Sequence, residues 1–105
     1  MSRTDHVYAT CRPTPDGFRC AVRVGDDDGA TRHEVTVRHE DLGRFAFDAA
    51  DPEQLVRESF RFLLEREPRE SILARFDLAV IGKYFGEYPV EIRRRMGAAS
   101  IRPPG

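Results

Sequence analysis

A chain of 105 residues, 40% hydrophobic and 33% charged with a formal net charge of -1, has the profile of one folded soluble domain with a modest core, which excludes a disordered polyelectrolyte. The balanced charge supplies no global field toward nucleic acid or an acidic membrane, and no apolar run nears the ~20 residues that cross a bilayer. Lys83 is the only lysine beside many arginines, which reads as coding bias, and the opening MSRTDHVYAT lacks the apolar stretch of a secretory signal. The expected address is therefore the cytoplasm, where thiols stay reduced.

Residues 6–38 alternate apolar and polar side chains in three runs: Val7, Ala9 and Cys11; Phe18, Cys20, Val22 and Val24; His33, Val35 and Val37. Period two is the signature of strands with one face buried. Asp28-Gly29 suits a type I′ turn that pairs Val24 with His33 and Val22 with Val35. The expectation is a three-stranded antiparallel meander with one apolar face and one arginine-rich, solvated face.

Two registers compete around Pro15-Asp16-Gly17. A three-residue loop pairs Thr14 with Phe18 and puts Cys11 and Cys20 on opposite faces. A four-residue loop pairs Pro13 with Phe18, sets Cys11 opposite Cys20 and keeps every apolar residue of both strands on one face. A one-residue slip flips a whole strand, so burial favours the second. The cysteines then read as two small buried hydrophobes, ahead of a redox disulfide. A metal site is the weakest reading, because no second ligand pair sits at knuckle spacing.

HEDLGRF reads as a short helix or turn. In AADPEQLVRESFRFLLEREP, Asp51 suits an N-cap, Pro52 the first helical position and Gln54 the capping-box position. Leu55, Val56, Ser59, Phe60, Leu63 and Leu64 recur at helical spacing, with Phe62 off that stripe and available to a second surface. RESILARF is expected as a short helix with Ile72, Leu73 and Phe76 inward. LAVIGKYF is expected as another, capped by Asp77 and stopped by Gly86. PVEIRRRM is expected as a last helix opened by Pro89 and closed by Gly97. The fold class is α+β: an N-terminal three-stranded antiparallel meander followed by a C-terminal cluster of three to four short helices. A single domain is expected over 1–97, with a disordered tail over 98–105.

The stretch LVRESFRFLLEREPRESILARFDLAVIGKYFGEYPVEI resembles a family of small uncharacterised bacterial proteins. Their recurring features are a strand-rich N-terminal part, an LLEREP-like segment, SIL, FDL and a YFPEY-like ending. The resemblance covers residues 55–92, with looser similarity over 31–45, and departs where Gly86 stands in place of proline. It implies the same fold and supplies no catalytic residues. HEVTVRHEDLGRF followed by DPEQLVRESFRFLLERE is more distantly similar to ribbon-helix-helix DNA-binding proteins, in which Thr36 and Arg38 would face the bases. The helix before Asp51 is short for that motif, and a preceding hairpin already supplies partners for the strand.

Few residues suggest chemistry. His33 and His39 share the pattern HEVTVRHE but lack further ligands for a metal, so His33 is expected at the sheet edge, His39 in the strand-to-helix turn and His6 in solvent. Asp26-Asp27-Asp28-Gly29 lacks the alternating ligands of a calcium loop and reads as a hairpin tip. Neither Ser59 nor Ser71 sits in a nucleophile elbow. Arg93, Arg94 and Arg95 form the densest basic cluster, read first as a solvated helix end. Tyr84, Phe85 and Tyr88 form an aromatic knot, either a cap on the core or a docking patch that Phe45, Phe47 and Phe62 would extend. No cofactor or metal is expected. The leading functional expectation is a non-enzymatic interaction or regulatory domain that binds a partner protein or a second copy of itself through Tyr84, Phe85 and Tyr88. The alternative is nucleic-acid binding through Arg19, Arg23 and Arg38 or through Arg93, Arg94 and Arg95.

Overall fold

Alternation of side chains along residues 7–38 produces three strands, and the computed structural model, which describes residues 6–46 and 50–100, shows them as β1 (Val7–Thr14), β2 (Gly17–Val24) and β3 (Thr31–Arg38). The favoured register of β1 on β2 is the one formed: Cys11 faces Cys20 and Pro13 faces Phe18. Pairing runs one step further, to Thr14 and Gly17, so the loop is Pro15-Asp16 alone. Gly17 is required there by close approach, since a Cβ would lie 2.1 Å from the carbonyl oxygen of Val37.

The β2–β3 register is two residues from the expected one. Val24 faces Thr31 and Val22 faces His33. The shift is even, so no side chain changes face. Its cause is Arg69, far along the chain. The Arg69 side chain is buried against the loop of residues 25–30, and its Nη2 donates to Asp27 Oδ1 at 2.9 Å. A Cβ on Gly25, whose φ is +98°, would sit 2.1 Å from Arg69 Nη1, and one on Gly29 would sit 2.5 Å from Nη2. The loop wraps a guanidinium instead of closing as a tight turn at Asp28-Gly29.

The sheet also has a fourth strand. RESILARF is not a helix: a short 3₁₀ turn at Arg69–Ser71 leads into extended chain and β4 (Arg75–Asp77), which pairs parallel to β3 with Val35 opposite Phe76. The order is β1-β2-β3-β4, a mixed sheet. The far edge of β3 carries backbone groups that need partners, and Ala74 meets one of them by accepting from the Glu34 N–H at 2.8 Å. That demand outweighs the helical spacing of the sequence. Leu73, expected inward, is left outside.

The helices form where their start signals lie. Helix α1 (His39–Phe45) begins as β3 ends, with the buried Asp41 carboxylate accepting from the Arg38 N–H at 2.9 Å. In α2 (Pro52–Leu64), Asp51 Oδ1 accepts from the Glu53 N–H at 2.9 Å and Pro52 opens the first turn. Gln54 does not complete a capping box. Its side chain donates to Glu58 and accepts from Arg57, on the helix surface. Glu53 instead accepts the N–H of Cys11 at 2.9 Å, which pins the start of α2 to β1.

After β4 come a 3₁₀ turn at Leu78–Val80, the single-turn helix α3 (Ile81–Tyr84), and α4 (Tyr88–Ser100). Asp77 precedes that turn without a side-chain capping bond. Gly97 does not close α4, whose backbone stays helical to Ser100. Residues 101–105 lie outside the described residues.

The buried residues form one core. Val7, Cys20, Val22, Val24, Val35 and Val37 project from the inner face of the sheet onto Leu55, Val56 and Phe60 of α2, which lies against β1 and β2. Phe62, off that stripe, faces the other way and meets Tyr88, so α4 packs on α2 and α1 as a further layer. All helices lie on one side of the sheet, and its other face is open to solvent. Among the described residues no helix is long and apolar enough to cross a membrane.

Candidate functional site

The aromatic knot of the sequence is divided by the fold. Tyr88 is fully buried, with its ring 5.2 Å from Phe62 and 5.1 Å from Phe45. It belongs to the core and cannot face a partner. Phe45 and Phe62 are buried with it, and Phe47 lies outside the described residues. Phe85 is half-buried, edge-on to Phe62 at 5.9 Å. Tyr84 is 71% exposed.

Tyr84 and Phe85 border an apolar cleft of about 230 Å³. Leu63 and Glu67 form one wall at the end of α2, and Ser71, Ile72 and Leu73 cross from the 3₁₀ turn toward β4. Phe76, Val80 and Ile81 complete the apolar lining. Leu73 stands 51% exposed at the rim. The carbonyl of Leu73 lies 2.7 Å from the His33 Nδ1, which fixes that segment against the central strand. His33 is therefore not an edge residue. It is buried under Phe60, with its Nε2 2.8 Å from the Thr31 hydroxyl. His39 opens α1 and meets the Phe18 ring edge-on at 5.8 Å.

Sequence reasoning placed Leu73 inside because it read a helix there. Its exposure follows from β4, for which three residues give little sequence signal. The chemistry available in the cleft is that of an apolar socket: the lining supplies Glu67 and Ser71 as polar groups and otherwise hydrocarbon and aromatic surface.

The arginines separate into two sets. Arg93, Arg94 and Arg95 are engaged within the molecule. Arg93 donates to the carbonyls of Gly43 at 3.0 Å and Arg44 at 2.9 Å, capping the end of α1. Arg94 and Arg95 both hold Glu91, and Arg95 reaches Glu65 at 2.7 Å while lying over Phe62 at 5.7 Å. These two guanidiniums hold the Glu91 carboxyl down at about 2, and Arg95 draws Glu65 below its ordinary range. The cluster fastens α4 to α1 and α2.

Arg19, Arg23 and Arg38 do share the open face of the sheet, as alternation predicts. The same parity adds Arg12 and Arg32, which the strand period of the sequence already assigns, and β4 adds Arg75. The ribbon-helix-helix arrangement fails, because β3 has β2 on one side and β4 on the other and presents no edge to a second copy.

Cys11 and Cys20 are joined by a disulfide, which replaces the expected pair of reduced thiols. Direct opposition across β1 and β2 brings their Cα atoms to 4.0 Å, within bonding reach for two side chains that share a face. Cys20 is buried and Cys11 half-buried. Ser59 is committed to the core, donating to the Leu55 carbonyl at 2.7 Å. Among the described residues no group of three His, Cys, Asp or Glu side chains converges to hold a metal ion.

No protein-family model, no curated protein and no solved structure matches this chain.

Proposed function

We propose that this chain is a non-enzymatic protein-binding module whose apolar cleft receives hydrophobic side chains of a partner protein or of a second copy. The supporting observation is the rim itself. Leu73 at 51% and Tyr84 at 71% exposure flank a cavity lined by Ile72, Phe76, Ile81 and Phe85. Large apolar groups beside a preformed socket are a poor arrangement for a free surface and a good one for an interface, whose core is enriched in aromatic and depleted in charged residues. About 230 Å³ suits one or two apolar side chains of an anchor segment, the form in which a few residues carry most of a binding energy.

Affinity capture from producing cells tests this with wild type beside Leu73→Asp. The side chain of Leu73 is at the rim, so the variant is expected to fold with unchanged thermal stability and to lose a stoichiometric protein recovered with wild type. Recovery of the same proteins by both forms, together with a monomer of unchanged mass for wild type at micromolar concentration, rejects the cleft as the contact.

A further inference from the structure

The solvent face of the sheet carries a charge pattern that folding alone does not favour. Arg12 stands directly opposite Arg19 on β1 and β2, and Arg23 directly opposite Arg32 on β2 and β3. Like charges at directly opposed positions of a sheet repel and destabilise it. With Arg38 and Arg75, six arginines share this face with two carboxylates, Glu34 and Asp77. Those two are matched, Glu34 with Arg75 at 3.4 Å and Asp77 with Arg38 at 3.5 Å. At the margin, Asp26 lies 3.8 Å from Arg23. Arg12, Arg19 and Arg32 are exposed and have no acidic partner among the described residues. The whole chain is at -1, so this face carries a local excess of positive charge over the rest of the molecule.

We infer that the open face of the sheet binds the sugar-phosphate backbone of single-stranded nucleic acid, independently of the cleft. Phosphates set between Arg12 and Arg19 and between Arg23 and Arg32 turn two repulsions into charge-assisted hydrogen bonds. Between these rows lie Thr10 and Ala21, small side chains that leave room for a chain crossing β1 and β2, and on β3 Glu34, whose carboxylate is matched by Arg75. One end of the face offers planar groups as well: the Tyr8 ring, with the Arg23 guanidinium 4.6 Å from its centre and His6 at 6.2 Å. Tyr8 is held upright by its hydroxyl, which donates to Asp26 at 2.5 Å. An aromatic beside a basic track is what unpaired bases stack on, which favours a single-stranded nucleic acid over an acidic peptide or a lipid headgroup.

The test is fluorescence anisotropy of labelled oligouridylate and oligothymidylate of about 16 nucleotides, titrated with full-length protein from about 50 to 200 mM salt. Wild type is expected to bind at the low end, with a slope of log affinity on log salt that falls by about 2 when Arg12→Gln, Arg19→Gln and Arg32→Gln are combined. The same triple variant is expected to weaken binding about tenfold or more at low salt, and to keep or raise its thermal midpoint because the opposed charges are gone. Arg94→Gln, on α4, is expected to leave affinity unchanged. Absence of binding at the lowest salt overturns the inference. So does undiminished binding by the triple variant, and so does equal competition by polyglutamate or phosphatidylserine vesicles, which assigns the face to anions in general.

Discussion

The phenol of Tyr88 ends 2.7 Å from the hydroxyl of Ser59, which hands the bond on to the Leu55 carbonyl inside α2. Burial drives the phenol above its ordinary pKa, so it stays a neutral donor. Tyr88→Phe removes one bond and leaves Ser59 its Leu55 partner, an expected loss of about 1 kcal/mol in chemical denaturation. Tyr88→Ala empties a core site against Phe45 and Phe62 and is expected to cost about 3–5 kcal/mol. Tyr84→Ala, four residues earlier and at the surface, is expected to stay within about 0.5 kcal/mol of wild type. A similar cost for Tyr84→Ala and Tyr88→Ala would contradict the division of the aromatic knot.

Acid stability depends in part on the ion pairs along α4. The folded protein holds Glu91 at about 2 against an ordinary value of 4.5, first through Arg94 and then through Arg95. A carboxyl depressed by folding contributes stability that is complete above its unfolded value and lost as pH falls through its folded one. Glu91→Gln is therefore expected to flatten the decline of the unfolding midpoint between pH 4.5 and about 2. Asp41 has the opposite sign, because burial raises it above its ordinary 3.8, and its contribution erodes as pH rises from that value. An unaltered acid limb in Glu91→Gln would show that the pair is not held in solution.

The loop around Arg69 is tested by Gly25. An alanine there meets both a positive φ of +98° and the Arg69 guanidinium at 2.1 Å, neither of which a side chain accommodates. Gly25→Ala is expected to destabilise by about 1–3 kcal/mol, measured by thermal or urea unfolding. Gly86→Ala, where an added Cβ meets nothing within 4 Å, serves as the tolerant comparison.

The disulfide closes a short loop, Cys11 and Cys20 being nine positions apart. By the chain-entropy relation its reduction is expected to cost about 2–3 kcal/mol. Cys20 remains a buried hydrophobe, so the reduced protein is expected to stay folded with the same sheet register. Unfolding with and without reductant, beside intact mass under non-reducing conditions, checks both statements.

The first hairpin was legible because two constraints agreed, the parity of burial and the turn residues Pro15-Asp16. Helix α2 was legible from Asp51, Pro52 and its apolar stripe. What escaped depended on distant partners. The β2–β3 register was decided by Arg69, 39 positions beyond the end of the loop at Ala30, and β4 by the unsatisfied edge of β3. The bond between the cysteines was masked by the cytoplasmic expectation, although the register that opposes them was found. In the candidate sites, Tyr84 and Phe85 were named from sequence but Leu73 was turned the wrong way with its supposed helix. Arg93 to Arg95 looked like a free basic end because their acceptors, Gly43, Arg44 and Glu65, are remote in sequence.

The binding role of the cleft is tested most directly by placing a photo-crosslinking amino acid at position 84 in the living producer and reading the adducts by mass. The expected result is one dominant adduct with a single protein, or with a second copy of this chain, that disappears when Leu73→Asp is added. A diffuse set of adducts unaffected by Leu73→Asp, with the protein folded, would contradict the claim that the cleft is a binding site.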